Sequence, residues 1–91
     1  LYFMPIILPA SLDTLAAGTL RTNLKNTIDR GESVLLNGGD VEQVGQACLQ
    51  VLVSAQQAAR EAKLVFRIED PSDALTGMAQ LAGLDLLLQP A

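Results

Sequence analysis

A few residues in this chain are of types that do chemistry. Glu69, Asp70 and Asp73 place three carboxylates within one short stretch. Two carboxylates can divide acid and base duties, but only in a pocket that separates their pKa values, and usually with a third group. The run Glu69-Asp70-Pro71-Ser72-Asp73 reads more simply as a loop whose Ser72 or Asp73 caps the next helix. Cys48 is the single thiol. A helix start can lower a thiol pKa and make it reactive, yet Cys48 falls among apolar positions at helical spacing, which marks a core thiol. Gly45-Gln46-Ala47 opens a helix and offers free N–H groups to an anion, but no Lys or Arg lies between Arg30 and Arg60 to assist. Asp40 follows two glycines and reads as a turn residue. Paired with Glu69 or Asp70, it is the basis of the one enzyme reading that can be built. No defensible catalytic set results, and the chain reads as a non-enzyme.

Composition excludes several further classes. There is no histidine, the commonest general base and metal ligand. With one cysteine as well, no zinc-type set exists, and neither a metal nor a cofactor is expected. A net charge of −4 lacks the basic surface that supplies most nucleic-acid affinity. Tryptophan is absent and aromatics are few, so stacking platforms for bases or sugars are missing. No apolar run approaches the roughly 20 residues of a membrane span. One cysteine cannot close an internal disulfide, so a reducing, cytoplasmic location is expected. Ninety-one residues, nearly half apolar, amount to one small domain with a real core. Leu1-Tyr2-Phe3 precedes Met4 and reads as a tag remnant (1–3), which leaves 4–91 as the domain.

The elements that must position any site follow from spacing. Pro5–Pro9 reads as a short strand near a sheet edge, because proline cannot donate to a ladder. Ser11 or Asp13 caps a helix with Leu12, Ala16, Leu20, Leu24 and Ile28 on one side. Gly31 stops it. Ser33–Asn37 is a continuous apolar run, the pattern of a strand covered on both faces. Gly38-Gly39-Asp40 is turn chemistry, and Val41 and Val44 anchor the loop. The second helix starts near Gln46, with Ala47, Cys48, Val51, Leu52, Ala55, Ala58, Ala59 and Ala62 on an arc of about 140°. Lys63–Ile68 is a third strand and Ser72–Gly83 a short helix. Leu84–Leu88 is an apolar tail, one more turn or a short strand. The order is strand, helix, strand, helix, strand, helix. It predicts an α/β sandwich with a mostly parallel sheet and helices packed on it.

On the second helix, Leu49 and Val53 fall about 120° and 160° from the centre of the apolar arc. They flank Gln46 and Gln50 beside the glycine loop. Gly38, Gly39, Asp40, Gln46, Leu49, Gln50 and Val53 therefore form the expected partner-binding surface, an apolar centre with a polar rim. The same Leu49–Val53 pair could instead seed a homodimer, or tuck under a neighbouring loop.

Several weak motifs in a fixed order carry a resemblance. They are Leu8-Pro9-Ala10-Ser11-Leu12-Asp13 before the first helix, Val34-Leu35-Leu36-Asn37 before a loop, and Val41-Glu42-Gln43-Val44. Leu49 with Val51-Leu52, Ala58-Ala59-Arg60, Pro71-Ser72 and Leu81-Ala82-Gly83-Leu84 follow. Over Pro5 to Leu88 the chain resembles the STAS domain, the fold of bacterial anti-anti-sigma factors and of the cytoplasmic tails of sulfate transporters. The family usually has an additional strand before the one at Ile6; the resemblance implies a sheet of three to four strands here. Regulated members carry a serine or threonine at the start of the second helix that a partner kinase phosphorylates. Gln46 occupies that phosphoacceptor-equivalent position here, and no Ser, Thr or Tyr occurs from Val34 through Val53. The run Gln46-Ala47-Cys48-Leu49-Gln50 is similar to that of STAS proteins of alphaproteobacterial chemotaxis operons. The resemblance implies a regulatory module that docks on a histidine-kinase-like or anti-sigma-type kinase protein. Alternatives it also implies are an anti-anti-sigma factor, or the STAS subunit of an ABC-type lipid-transport complex.

Overall fold

The structure, a computed structural model, describes residues 6–88; the tag reading of 1–3 and the start at Met4 lie outside them. Three short strands, β1 (Ile6–Ile7), β3 (Val34–Asn37) and β5 (Phe66–Glu69), form a parallel sheet in the order β1-β3-β5. The registers Ile6↔Leu36↔Ile68 and Val34↔Phe66 put these side chains on one face. That face is the core: Val34, Leu36, Phe66 and Ile68 are buried. Two further strands, β2 (Ser11–Leu12) and β4 (Gln43–Val44), make a separate parallel pair that the sequence pattern did not announce.

The helices are α1 (Thr14–Asp29), α2 (Gln46–Glu61) and α3 (Asp73–Leu81), followed by a 3-10 turn at Asp85–Leu88. Asp13 caps α1, its carboxylate accepting from the Ala16 N–H at 2.9 Å. Ser72 caps α3 by accepting from the Leu75 N–H at 3.1 Å. Helices α1 and α2 lie side by side over the buried face of the sheet, each crossing between successive strands. The tail after α3 forms the turn rather than a strand, and its Leu87 joins the core.

Two expectations fail for physical reasons. The strand Ser33–Asn37 is covered on one face only. Leu35 is partly open and its register partner Arg67 is exposed, as are Ile7 and Val65. The run reads as continuous because β3 has only four residues, and one apolar side chain, Leu35, on its open face is enough to hide the alternation. Lys63 does not begin a strand; it ends α2. At φ 60° it stands where Gly31 (72°) and Gly83 (71°) end the other two helices. All three ends share one pattern of backbone bonds. The Lys63 N–H donates to the Arg60 carbonyl at 3.1 Å, and the Leu64 N–H donates to that of Ala59 at 2.8 Å.

A side chain at positive φ costs about 1–2 kcal/mol, against the entropic cost of a glycine. Lys63→Gly is therefore expected to stabilise the fold by about 0.5 kcal/mol, read as a higher urea midpoint with an unchanged slope.

Candidate functional site

The loop after β3 and the start of α2 are held by backbone bonds at the carboxyl ends of the parallel strands, where α/β folds commonly bind ligands. The Asn37 side chain accepts from the Gly39 N–H at 2.9 Å and fixes the first bend. Gly38 sits below it. Its N–H donates to the Glu69 carbonyl at 3.0 Å, and its own carbonyl accepts from the N–H groups of Val41 and Ser72. A Cβ on Gly38 would stand 2.7 Å from Leu75 Cδ2, inside the core.

The loop then runs into β4, whose pairing with β2 ties the two long helices at their starts. The N–H groups of Glu42 and Gln43 both donate to the Ala10 carbonyl, and that of Gly45 donates to Leu12 at 2.7 Å. Ser11 Oγ donates to Gln43 Oε1 at 3.4 Å. One turn into α2, Cys48 Sγ donates to the Asp13 carbonyl at 3.3 Å, linking the second helix to the cap of the first. Burial pushes the Cys48 thiol above its ordinary 9.0, and the Asp13 carboxylate adds to the effect. The thiol is thus a neutral, structural donor.

Of the expected surface residues, Gly39, Asp40, Gln46 and Gln50 are exposed around this junction. Gly38 is buried, which corrects its place on the surface. Leu49 is corrected too: it is 1% exposed and belongs to the core, and Val53 is half-buried against it. The buried stripe of α2 is Cys48, Leu49, Leu52, Ala55, Gln56 and Ala59. It is rotated from the arc of alanines, leaving Ala47 and Ala62 exposed. The reason is the C-terminal segment, which packs on that flank of α2, where Gln56 Nε2 donates to the Leu86 carbonyl at 2.8 Å. Sequence reasoning also missed Leu15. It is 87% exposed in the first turn of α1, beside the same β2–β4 junction. Its position opposite Leu20 and Leu24 on the helical wheel was the available signal.

The start of α2 has no side-chain cap, since Gly45 stands at the cap position. The first N–H groups of a helix have no intrahelical partner. Among the described residues no cluster of three or more Cys, Asp or Glu is placed to hold a metal ion. Nor is any helix there long and apolar enough to cross a membrane.

The arrangement defines an α/β module whose helix starts and adjoining loop expose amides beside three carboxylates, those of Asp13, Asp40 and Glu42. The family model described as Mlab, STAS domain matches residues 6–89. The chain therefore belongs to the STAS family, whose domains generally serve as regulatory protein-interaction modules rather than as enzymes. No curated protein matches the chain.

Leu49→Arg places an unpaired charge in the core and is expected to lower stability by about 3–5 kcal/mol, seen in chemical denaturation. For Cys48, the folded pKa lies above the unfolded one. Its contribution to stability is present below pH 9.0 and is lost as the pH rises through the folded value. Urea midpoints are thus expected to fall more between neutral and strongly alkaline pH for the wild type than for Cys48→Ala.

Proposed function

We propose that this chain is a non-enzymatic regulatory module that docks on the ATP-binding domain of a histidine-kinase-like protein in bacterial signalling, of the chemotaxis type. The observation that carries the reading is the composition of the exposed surface at the start of α2. Gln46 and Gln50 are exposed on the first turns of the uncapped α2, Gly39 and Asp40 on the loop that leads to it, and Leu15 at the start of α1. Leu15 takes over the apolar role first expected of Leu49. Amides that both donate and accept, around a modest apolar contact, suit a protein surface rather than a substrate.

Gln46 stands at the position equivalent to the family's phosphoacceptor, and no hydroxyl is available from Val34 to Val53. A doubly charged phosphate beside the partner is the usual way such a contact is released. Docking here is consequently constitutive with respect to that signal. Regulation, where it exists, acts through the partner's abundance or conformation.

Affinity capture with the wild-type chain and with Gln46→Arg/Gln50→Arg tests the reading. Both positions are exposed, so the urea midpoint of the variant should match the wild type. A histidine-kinase-like protein is expected on the wild type and at least about tenfold less of it on the variant. Equal retention by both would remove the surface from consideration. Capture of an ABC-type ATPase instead would assign the chain to the lipid-transport alternative, and capture of an anti-sigma-type kinase to the anti-anti-sigma class.

A further inference from the structure

Away from the helix starts, α1 and α2 leave an open groove of about 540 Å³ between their outer faces. We propose that this groove is a second docking surface, and that its occupant is an amphipathic helix of a partner protein with acidic side chains one turn apart.

The geometry fits a helix. The lining residues run from Arg21 to Asp29 on α1 and from Gln50 to Ala58 on α2, which is about 12 Å or two turns of each at 1.5 Å per residue. The floor is closed by Leu24 and Ala55, both buried, so there is no enclosed hole for a compact ligand. Ile28 and Val51 stand half-open on the two sides. Beyond Gln50 and Val51 the α2 side is made of small residues, Ser54 and Ala58 above the buried Ala55. Small residues let a third helix approach to the 8–10 Å separation of packed helices. Anchors at i, i+3, i+4 and i+7 of an incoming helix match such a trough.

Charge selects the partner. The chain carries a net −4, yet the α1 rim presents Arg21 and Lys25, one turn apart and exposed. Among the described residues the one ion pair is Arg30–Glu32, so neither cation is engaged within the fold. The facing rim, Gln50 and Ser54, is neutral. Asp29 closes the far end, which gives the groove a direction: acidic partner residues belong at the Arg21 end. Two-fold packing of the groove on itself would bring the Arg21 end of one copy toward the Asp29 end of the other, so amide shifts of residues 21–29 and 50–58 that grow with chain concentration, before any peptide is added, would assign the groove to a second copy and overturn the proposal.

The probe is a synthetic helical peptide with leucines at i, i+3, i+4 and i+7 flanked by glutamates, beside a twin with lysines for the glutamates. An amide NMR titration of the full chain reads both site and affinity. The glutamate peptide is expected to shift residues 21–29 and 50–58 and to leave Gly39, Asp40 and Gln46 unmoved. The lysine twin is expected to bind at least about tenfold more weakly, and Arg21→Glu/Lys25→Glu to invert that preference. Gln50 belongs to both surfaces, so Gln46, which lies outside the groove, separates them: Gln46→Arg is expected to leave peptide binding unchanged. Failure of both peptides to bind at about 1 mM would overturn the proposal. So would equal affinity for the two peptides, shifts centred on Gly39 and Gln46, or displacement of the glutamate peptide by decanoate, which would mark a small-anion site.

Discussion

The close approach of the backbone at Gly38 to Leu75 is the constraint on which the packing of the loops after β3 and β5 depends. One residue without a side chain lets the end of β3 lie directly on the first turn of α3, while its peptide groups reach the carbonyl of Glu69 and the N–H groups of Val41 and Ser72. The loops after β3 and β5 are thereby locked to each other. Buried peptide groups must be paired, and here one residue satisfies three partners at the point where three segments meet. The loop that presents Gly39 and Asp40 is rigid for this reason.

The β2–β4 pair performs a similar task on the other side of that loop. Only two residues long on each strand, it cannot add much stability. Its value is positional. It places the first residues of α1 and α2 next to each other, and the Cys48 thiol, held neutral by burial, adds a bond from the second helix to the cap of the first. The proposed docking surface, assembled from two helix starts, needs this register, because a shift of one residue in either strand would turn its side chains over.

The two surfaces differ in kind. At the helix starts and the adjoining loop the exposed groups include amides, the carboxylates of Asp13, Asp40 and Glu42, and Leu15; between the helices they are an apolar floor with two cations and, at one end, Asp29. The three-stranded sheet, uncovered on its far face, offers little area. A module of this size has few faces to give, and the helical side carries its recognisable chemistry.

Most of the architecture was legible in the residues. Ala16, Leu20, Leu24 and Ile28 mark α1, Asp13 and Ser72 cap their helices, Gly31 and Gly83 end theirs, and Val34–Asn37 is a strand. These are local effects of periodicity, caps and permitted φ, which a chain carries wherever it folds. The exposed status of Gly39, Asp40, Gln46 and Gln50 was legible for the same reason. What only the tertiary structure decided is which flank of α2 is buried. The alanines pointed to one arc, but the C-terminal turn packs on the other, where Gln56 bonds the Leu86 carbonyl, so Leu49 enters the core and Ala47 and Ala62 meet solvent. The β2–β4 pair belongs to the same group, since it depends on the register between two short segments distant in sequence. The positive φ of Lys63 is as local as that of Gly31 and Gly83, but it falls on a residue type that does not advertise it. Burial is settled by what finally lies beside a residue, not by its own hydropathy.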